Sequence, residues 1–211
     1  MQTAPIKPMK PWFQVIDDLG DHLDWEEFFG NDNPVELDIG CGRGMFLFNS
    51  AVANPDVNYL GLEIDYREGR RAASRLLKRE LPNARVIGGD CKVVLSGMVK
   101  KHSVRAAHVY YPDPWWKKRH HKRRLFTQEF ADLLAEIVEY DGQVHSWSDV
   151  ADLFDIIRDL MDGHSQFSTQ TPPPLNQPEH DLDYQTSFDR KKRQMGLPVF
   201  RGLWQRTGKK N

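Results

Sequence analysis

Five times between residues 34 and 161 a short apolar run gives way to a longer amphipathic one, and this alternation constrains the fold more than any other feature. The segments "PVELDI" (34–39), "VNYLGLEI" (57–64), "ARVIGG" (84–89), "VRAAHVYY" (104–111) and "GQVHSWS" (142–148) are short and rich in β-branched and aromatic residues, so they read as buried strands. After them come "MFLFNSAVA" (45–53), "YREGRRAASRLLKREL" (66–81, closed by Pro82), "CKVVLSGMV" (91–99), "TQEFADLLAEIVEY" (127–140) and "DVADLFDIIRDLM" (149–161), which read as helices. Strands separated by helices pair in parallel, so the expected fold is α/β with a doubly wound, mostly parallel sheet.

The tail breaks the rhythm. "STQTPPPLNQPEHDLD" (168–183) is too rich in proline and polar residues for regular structure and is expected to be a loop. "YQTSFDRKKR" (184–193) and "LPVFRGLWQR" (197–206) are strand-like and are expected to form an antiparallel C-terminal hairpin at a sheet edge. Residues 1–32 read as an N-terminal arm with its own aromatic side chains (Trp12, Phe13, Trp25, Phe28, Phe29), followed by one domain over 33–211.

The composition, 39% hydrophobic and 28% charged over 211 residues, is that of a soluble globular chain with enough length for a core. No run approaches the ~18 apolar residues of a membrane span, and "MQTAPIKPMKPWF" has no apolar signal-peptide centre. The only cysteines, Cys41 and Cys91, form no CxxC pair, which argues against disulfides and zinc and favours a reducing cytoplasm. The net charge of −1 conceals an asymmetry. Residues 117–124 hold six Lys/Arg and two His, "RKKR" recurs at 190–193, and acids gather in "DDLGDHLDWEEFF" (17–29).

The first strand ends in "LDIGCGRG", which is Asp38-x-Gly40-x-Gly42-x-Gly44. Glycines here let the backbone turn tightly and approach a ligand. The third glycine comes one residue too early for the G-x-G-x-x-G dinucleotide fingerprint. With an acid before the first glycine, the pattern resembles motif I of class I methyltransferases, which bind S-adenosylmethionine (SAM). A strand-end carboxylate suits that cofactor's ammonium group. Glu63, 25 residues beyond Asp38, ends the second strand where a carboxylate accepts ribose hydroxyls, and Asp90 after the third can accept from the adenine amino group. Each acid also has a plainer reading: Asp38 as a polar strand end, Glu63 as a solvated edge, Asp90 as a helix N-cap.

The fourth strand runs into "YPDPWWKKRHHKRRL" (111–125), whose front half is stiffened by prolines and whose back half is cationic. This segment closely resembles the tRNA (guanine-N7-)-methyltransferases, the TrmB-like family, in which a PDPW element leads into a KKRHHKRR element; the resemblance runs from about Val35 to the tail. It implies a class I SAM-methyltransferase (Rossmann-like) fold and SAM as cofactor, with tRNA as partner. The implied activity is methyl transfer to N7 of a tRNA guanine, in the variable loop. It matches Asp38, Glu63 and Asp90 to cofactor-binding acids and Asp113 to the acid that serves both cofactor and guanine. Lys117 matches a substrate-contacting basic position, Asp149 a substrate contact, and Thr186 with Asp189 a Thr-x-x-Glu element.

Three departures stand out. Ser148 replaces a threonine, and Asp38 stands where many relatives carry glutamate, which opens a water-mediated route to the cofactor. Asp189 is one methylene shorter than the usual glutamate and reaches about 1.5 Å less far.

Guanine N7 carries an in-plane lone pair and needs no base to deprotonate it, and no Ser-His-Asp or Cys-His arrangement is evident. Asp113 is the candidate catalytic residue: accepting from guanine N1–H and the exocyclic amino group, it would select guanine and stabilise the charge that develops. Asp149 can act from another side. Lys118, Arg119, Lys122, Arg123 and Arg124 are the expected RNA phosphate contacts. Trp116 is the expected base-stacking ring, with Trp115 beneath the loop, and no metal is expected at His120 or His121. Three rivals remain: a class I methyltransferase with another acceptor, an RNA-binding module without catalysis, and a dinucleotide oxidoreductase. The sequence leaves monomer or homodimer undecided.

Overall fold

The computed structural model describes residues 9–115, 119, 123–175, 177–180 and 184–208. Their centre is an eight-stranded sheet: β1 (Phe13–Val15), β2 (Val35–Ile39), β3 (Asn58–Glu63), β4 (Ala84–Gly88), β5 (Val104–Tyr110), β6 (Val138–Ser148), β7 (Phe167–Gln170) and β8 (Phe200–Arg206). The strands lie in the order β1-β4-β3-β2-β5-β6-β8-β7; β1 to β6 are parallel, and β8 joins antiparallel to both β6 and β7. The helices are α1 (Trp25–Phe29), α2 (Met45–Ala53), α3 (Tyr66–Lys78), α4 (Cys91–Gly97), α5 (Gln128–Ile137), α6 (Ala151–Asp162) and α7 (Ser187–Gln194). The mostly parallel α/β sheet with antiparallel C-terminal strands is the expected fold class.

The sheet separates two apolar layers. Leu37, Leu60, Leu62 and Ile87 pack with α4, α5 and α6 through Leu95, Phe130, Leu134 and Ile157. Tyr59 and Val86 face the other way, onto Phe46 and Leu47 of α2 and Ala72, Ala73 and Leu76 of α3. Helix starts follow local chemistry, since Asp24, Asp65, Asp90, Thr127 and Thr186 each accept a backbone N–H in the first turn of α1, α3, α4, α5 and α7. No helix among the described residues is long and apolar enough to cross a membrane.

Three expectations change. α5 ends at Ile137, and β6 begins at once with Val138. The register against β5 then jumps from Val104↔Val138 to Ala106↔Gln143, and the extra residues bulge at Asp141 (φ 65°) and Gly142. A Cβ on Gly142 would lie 2.8 Å from the Arg105 carbonyl, so a side chain there would collide with the neighbouring strand. Residues 168–170, expected in a loop, belong to β7 and pair with β8. Residues 187–193, expected within a strand, belong to α7, because Thr186 Oγ1 accepts from Asp189 N and the Asp189 carboxylate accepts from Gln185 N, which starts a helix before β8. The antiparallel partner of β8 therefore comes from upstream in the chain. In the region expected as an arm, Phe13–Val15 extends the sheet beside β4, and Leu23 and Phe29 enter the core.

A buried polar network crosses β2 and β5. Glu36 accepts from Arg105 (Nε, 2.9 Å) and from His108 (Nε2, 2.9 Å), and the Tyr110 hydroxyl lies 2.9 Å from His108 Nδ1. Burial pushes the Glu36 carboxyl up, but hydrogen bonding and charge from His108 and Arg105 outweigh it and hold the group at about 2. A depressed carboxyl adds stability above its unfolded pKa and loses it as pH falls through the folded value. Glu36→Gln should therefore cost about 3 kcal/mol at pH 7, with the gap to wild type closing between about pH 4.5 and 2 in urea titrations. A gap that stays constant with pH would remove the ionic contribution.

Candidate active site

Because β2, β3, β4, β5 and β6 run parallel, the chain leaves all five at one edge of the sheet. That edge collects Asp38 near the end of β2, Glu63 at the end of β3, Asp90 after β4, Asp113 after β5 and Asp149 after β6. Ligands bind along this edge in open α/β sheets.

Asp38 is 4% exposed, and its Oδ2 has no hydrogen-bond partner among the described residues. Burial pushes its carboxyl up, the Glu63 charge adds to the shift, and a backbone hydrogen bond from Leu47 offsets part of it, leaving the group at about 8. Glu63 is held rigidly: Oε2 accepts from Gly42 N (2.7 Å) and Oε1 from Asp65 N (2.8 Å). A Cβ at Gly40 or Gly42 would meet nothing within 4 Å, so the turn faces open space. Gly44 serves packing, since a Cβ there would sit 2.6 Å from Ala72 Cβ and prise α2 from α3. Asp90 is exposed and caps α4, with Oδ1 accepting from Lys92 N at 2.9 Å. The Cys41 thiol is pushed well up by burial and by Asp38 and Glu63, and burial and Asp90 push Cys91 to about 11, so neither is a nucleophile near neutral pH.

The loop after β5 is bent at both ends of the PDPW element. Tyr111 (φ 54°) and Trp115 (φ 42°) both adopt left-handed backbone, which is unfavourable for bulky residues and recurs at functional sites. Tyr111 N donates to Trp147 O (2.8 Å), and its hydroxyl donates to Asp189 Oδ1 (3.2 Å). Between these bends Asp113 is exposed. Arg124 Nε donates to Pro114 O (3.1 Å), and Arg123 lies 5.0 Å over the Trp115 ring, so these two basic residues brace the front of the loop. Arg119 is exposed; Lys117, Lys118 and Lys122, with Trp116, His120 and His121, lie outside the described residues.

α7 closes the other side. Its Lys192 Nζ is 2.5 Å from Asp149 Oδ2. Asp189 is fully buried, accepting from Tyr111 and from Gln185 N (3.0 Å), with Arg193 at 3.7 Å. Thr186, expected beside it at the substrate, caps the helix through Asp189 N. The Phe188 ring stacks on Tyr111 at 6.2 Å while remaining 62% exposed.

Residues 32–202 match a family model described as a putative methyltransferase. A tRNA (guanine-N(7)-)-methyltransferase from Rhodopirellula baltica is 34% identical over 203 residues, covering 93% of this chain and 75% of the relative. One of the same name from Geobacter metallireducens is 32% identical, covering 84% and 83%. The chain belongs to the tRNA (guanine-N7-)-methyltransferase family. Among solved structures, the 16S rRNA methyltransferase KamB superposes with a TM-score of 0.63 over 90% of this chain and 96% of that one, at 16% identity. A SAM-dependent O-methyltransferase from Thermotoga maritima gives 0.55 over 90% and 68%, at 12% identity. These two neighbours establish the fold of this family member.

Sequence reasoning passed over the residues of this methyltransferase that tie its site together. Tyr111 was visible in the quoted loop, but nothing in sequence reveals its backbone conformation or its partner 78 positions away. Lys192 was visible only as part of a charge run. A raised carboxyl destabilises the fold progressively as pH rises from the unfolded pKa to the folded one, by about 1.4 kcal/mol per pH unit. Relative to Asp38→Asn, the wild type should lose stability between about pH 4 and 8 and level off above. Parallel denaturation curves for the two proteins across that window would exclude a raised Asp38.

Proposed function

We propose that the protein transfers a methyl group from S-adenosylmethionine to N7 of a guanine in tRNA, in the variable loop. The observation that carries the reading is the buried Asp38 carboxyl at the glycine turn, whose Oδ2 has no partner among the described residues, on the same sheet edge as the exposed Asp113. A buried acid beside a second acid lacks a cation, and the ammonium of SAM is one. The names of the relatives supply guanine N7 and tRNA.

Asp38 would hold the ammonium end, Glu63 the ribose hydroxyls with the lone pairs its two amide donors leave, and Asp90 the adenine amino group with Oδ2. Gly40 and Gly42 let the backbone approach, and Gly44 sets the close contact of α2 with α3 behind them. When bound, SAM supplies a methyl group on a sulfonium that departs as a neutral thioether. Guanine N7 attacks with its own lone pair, so this chain has to orient and stabilise and has no proton to remove at N7. Asp113 would accept from N1–H and the exocyclic amino group, favouring guanine and countering the positive charge that appears on the ring. Its backbone is fixed by the flanking prolines and by Tyr111, anchored on Trp147 and Asp189. Asp189 and Thr186 then serve the substrate by holding α7 against this loop. Asp149 can receive guanine once its ion pair with Lys192 opens, and an RNA phosphate is the natural new partner for that ammonium. Arg119, Arg123 and Arg124, together with Lys117, Lys118 and Lys122, supply the cationic surface for the backbone.

Labelled SAM, unmodified tRNA transcript and protein should give methyl incorporation, and borohydride–aniline treatment should cleave at a variable-loop guanine. Incorporation without cleavage at guanine would refute N7 as the acceptor, and cleavage elsewhere would refute the variable loop. Asp113→Ala should lower kcat by at least ~10²-fold while leaving tRNA affinity within a few-fold. A near-normal rate would remove Asp113 from the mechanism.

A further inference from the structure

α3 buries Gly69, Ala72, Ala73 and Leu76 against the sheet, and most of its other residues face outward. Between 66 and 79 these include six basic residues and one acid, Glu68. A solvated helix face ordinarily alternates charge; here Arg67, Arg71, Arg75 and Arg79 recur at four-residue spacing, an arrangement of like charges that weakens the helix itself. Arg71, Ser74, Arg75 and Lys78, together with Arg43 from the glycine turn, line an open cleft of about 350 Å³. Glu68 accepts from Arg43 Nε (2.8 Å) and pairs with Arg71, which orients two guanidinium groups across the mouth of the cleft. Among the described residues, Arg75 and Lys78 have no carboxylate within ion-pairing distance and are exposed.

The stripe is continuous with the proposed acceptor site. Arg43 sits between Gly42 and Gly44, and Ser187 at the start of the basic helix α7 donates to Met45 Sδ at the start of α2 (3.7 Å). The start of α7 and the glycine turn therefore both adjoin α2, which packs on α3. From Arg71 to Lys78 the helix advances about 10 Å, enough to follow a stretch of nucleic-acid backbone and too long for a single phosphate group.

We infer that Arg43, Arg71, Arg75 and Lys78 form a second docking surface for RNA backbone, which holds a part of the tRNA remote from the methylated nucleotide. The inference rests on the tRNA reading above and adds a place where the rest of that RNA is held. Phosphates replace the missing counter-charges along α3, and the contact contributes affinity and orientation with no choice of sequence.

The test uses the full chain with Arg75→Glu/Lys78→Glu and, as a milder pair, Arg75→Gln/Lys78→Gln. Neither residue belongs to the proposed cofactor or guanine site, so SAM affinity by calorimetry should match wild type. For whole tRNA, the dissociation constant of the charge-reversed protein should rise at least ~10-fold at low salt. The slope of log affinity against log salt for the glutamine pair should fall by about 1.5 to 2, the value for two lost phosphate contacts. A short stem-loop carrying only the target guanine should be methylated at the same kcat/KM by all three proteins. Unchanged tRNA affinity and slope in an active protein would overturn the inference and leave the proposed activity intact. An equal loss on tRNA and stem-loop would overturn it too, since the stripe would then belong to the guanine site. If the wild type fails to methylate tRNA at all, the activity falls and this inference with it.

Discussion

Parallel pairing of five adjacent strands is the constraint from which the site follows. A parallel strand must be left at one edge and re-entered from the other, so each of β2 to β6 surrenders its following residues to the same rim. Asp38, Glu63, Asp90, Asp113 and Asp149 are 111 residues apart from first to last, yet topology alone brings them to one edge. Helices packed on both faces exclude water from the strands, and Asp38, buried with one oxygen unpartnered, carries the electrostatic consequence.

The two acids at the start of that rim are held by opposite means. Glu36 is buried but satisfied, with Arg105 and His108 as partners, and its charge is stabilised. Asp38, two residues on and facing the same layer, has neither partner and meets the Glu63 charge instead. One is a structural ion pair that ties β2 to β5; the other is a buried carboxyl pushed towards its neutral form, with one oxygen unpartnered. The difference lies in what β5 and β3 bring alongside, since both residues are strand acids of similar exposure.

Much of this was legible in sequence. The alternation of strands and helices, the bounds of α2, the glycine turn and the acids at strand ends all follow from local patterns, because hydrophobic periodicity and capping residues act over a few positions. The misreadings lie where a distant partner decides. Residues 187–193 read as part of a strand, but Thr186 accepting from Asp189 N and Asp189 accepting from Gln185 N make them helical. Residues 168–170 are a strand only because β8 pairs with them. That Arg123 and Arg124, read as phosphate contacts, also brace Trp115 and Pro114 is likewise visible only in the fold.

By itself the sequence determined the class of fold, the order of elements and the chemical types available at the rim, since these depend on local periodicity and on residues named by position. Tertiary structure alone decided which of those groups are satisfied and which are not. Asp38 Oδ2 is orphaned, Asp189 is buried under Tyr111, and Asp149 is paired with Lys192. Burial and pairing are properties of what lies across the sheet, often more than 40 positions away in the chain, and a linear pattern carries no record of them.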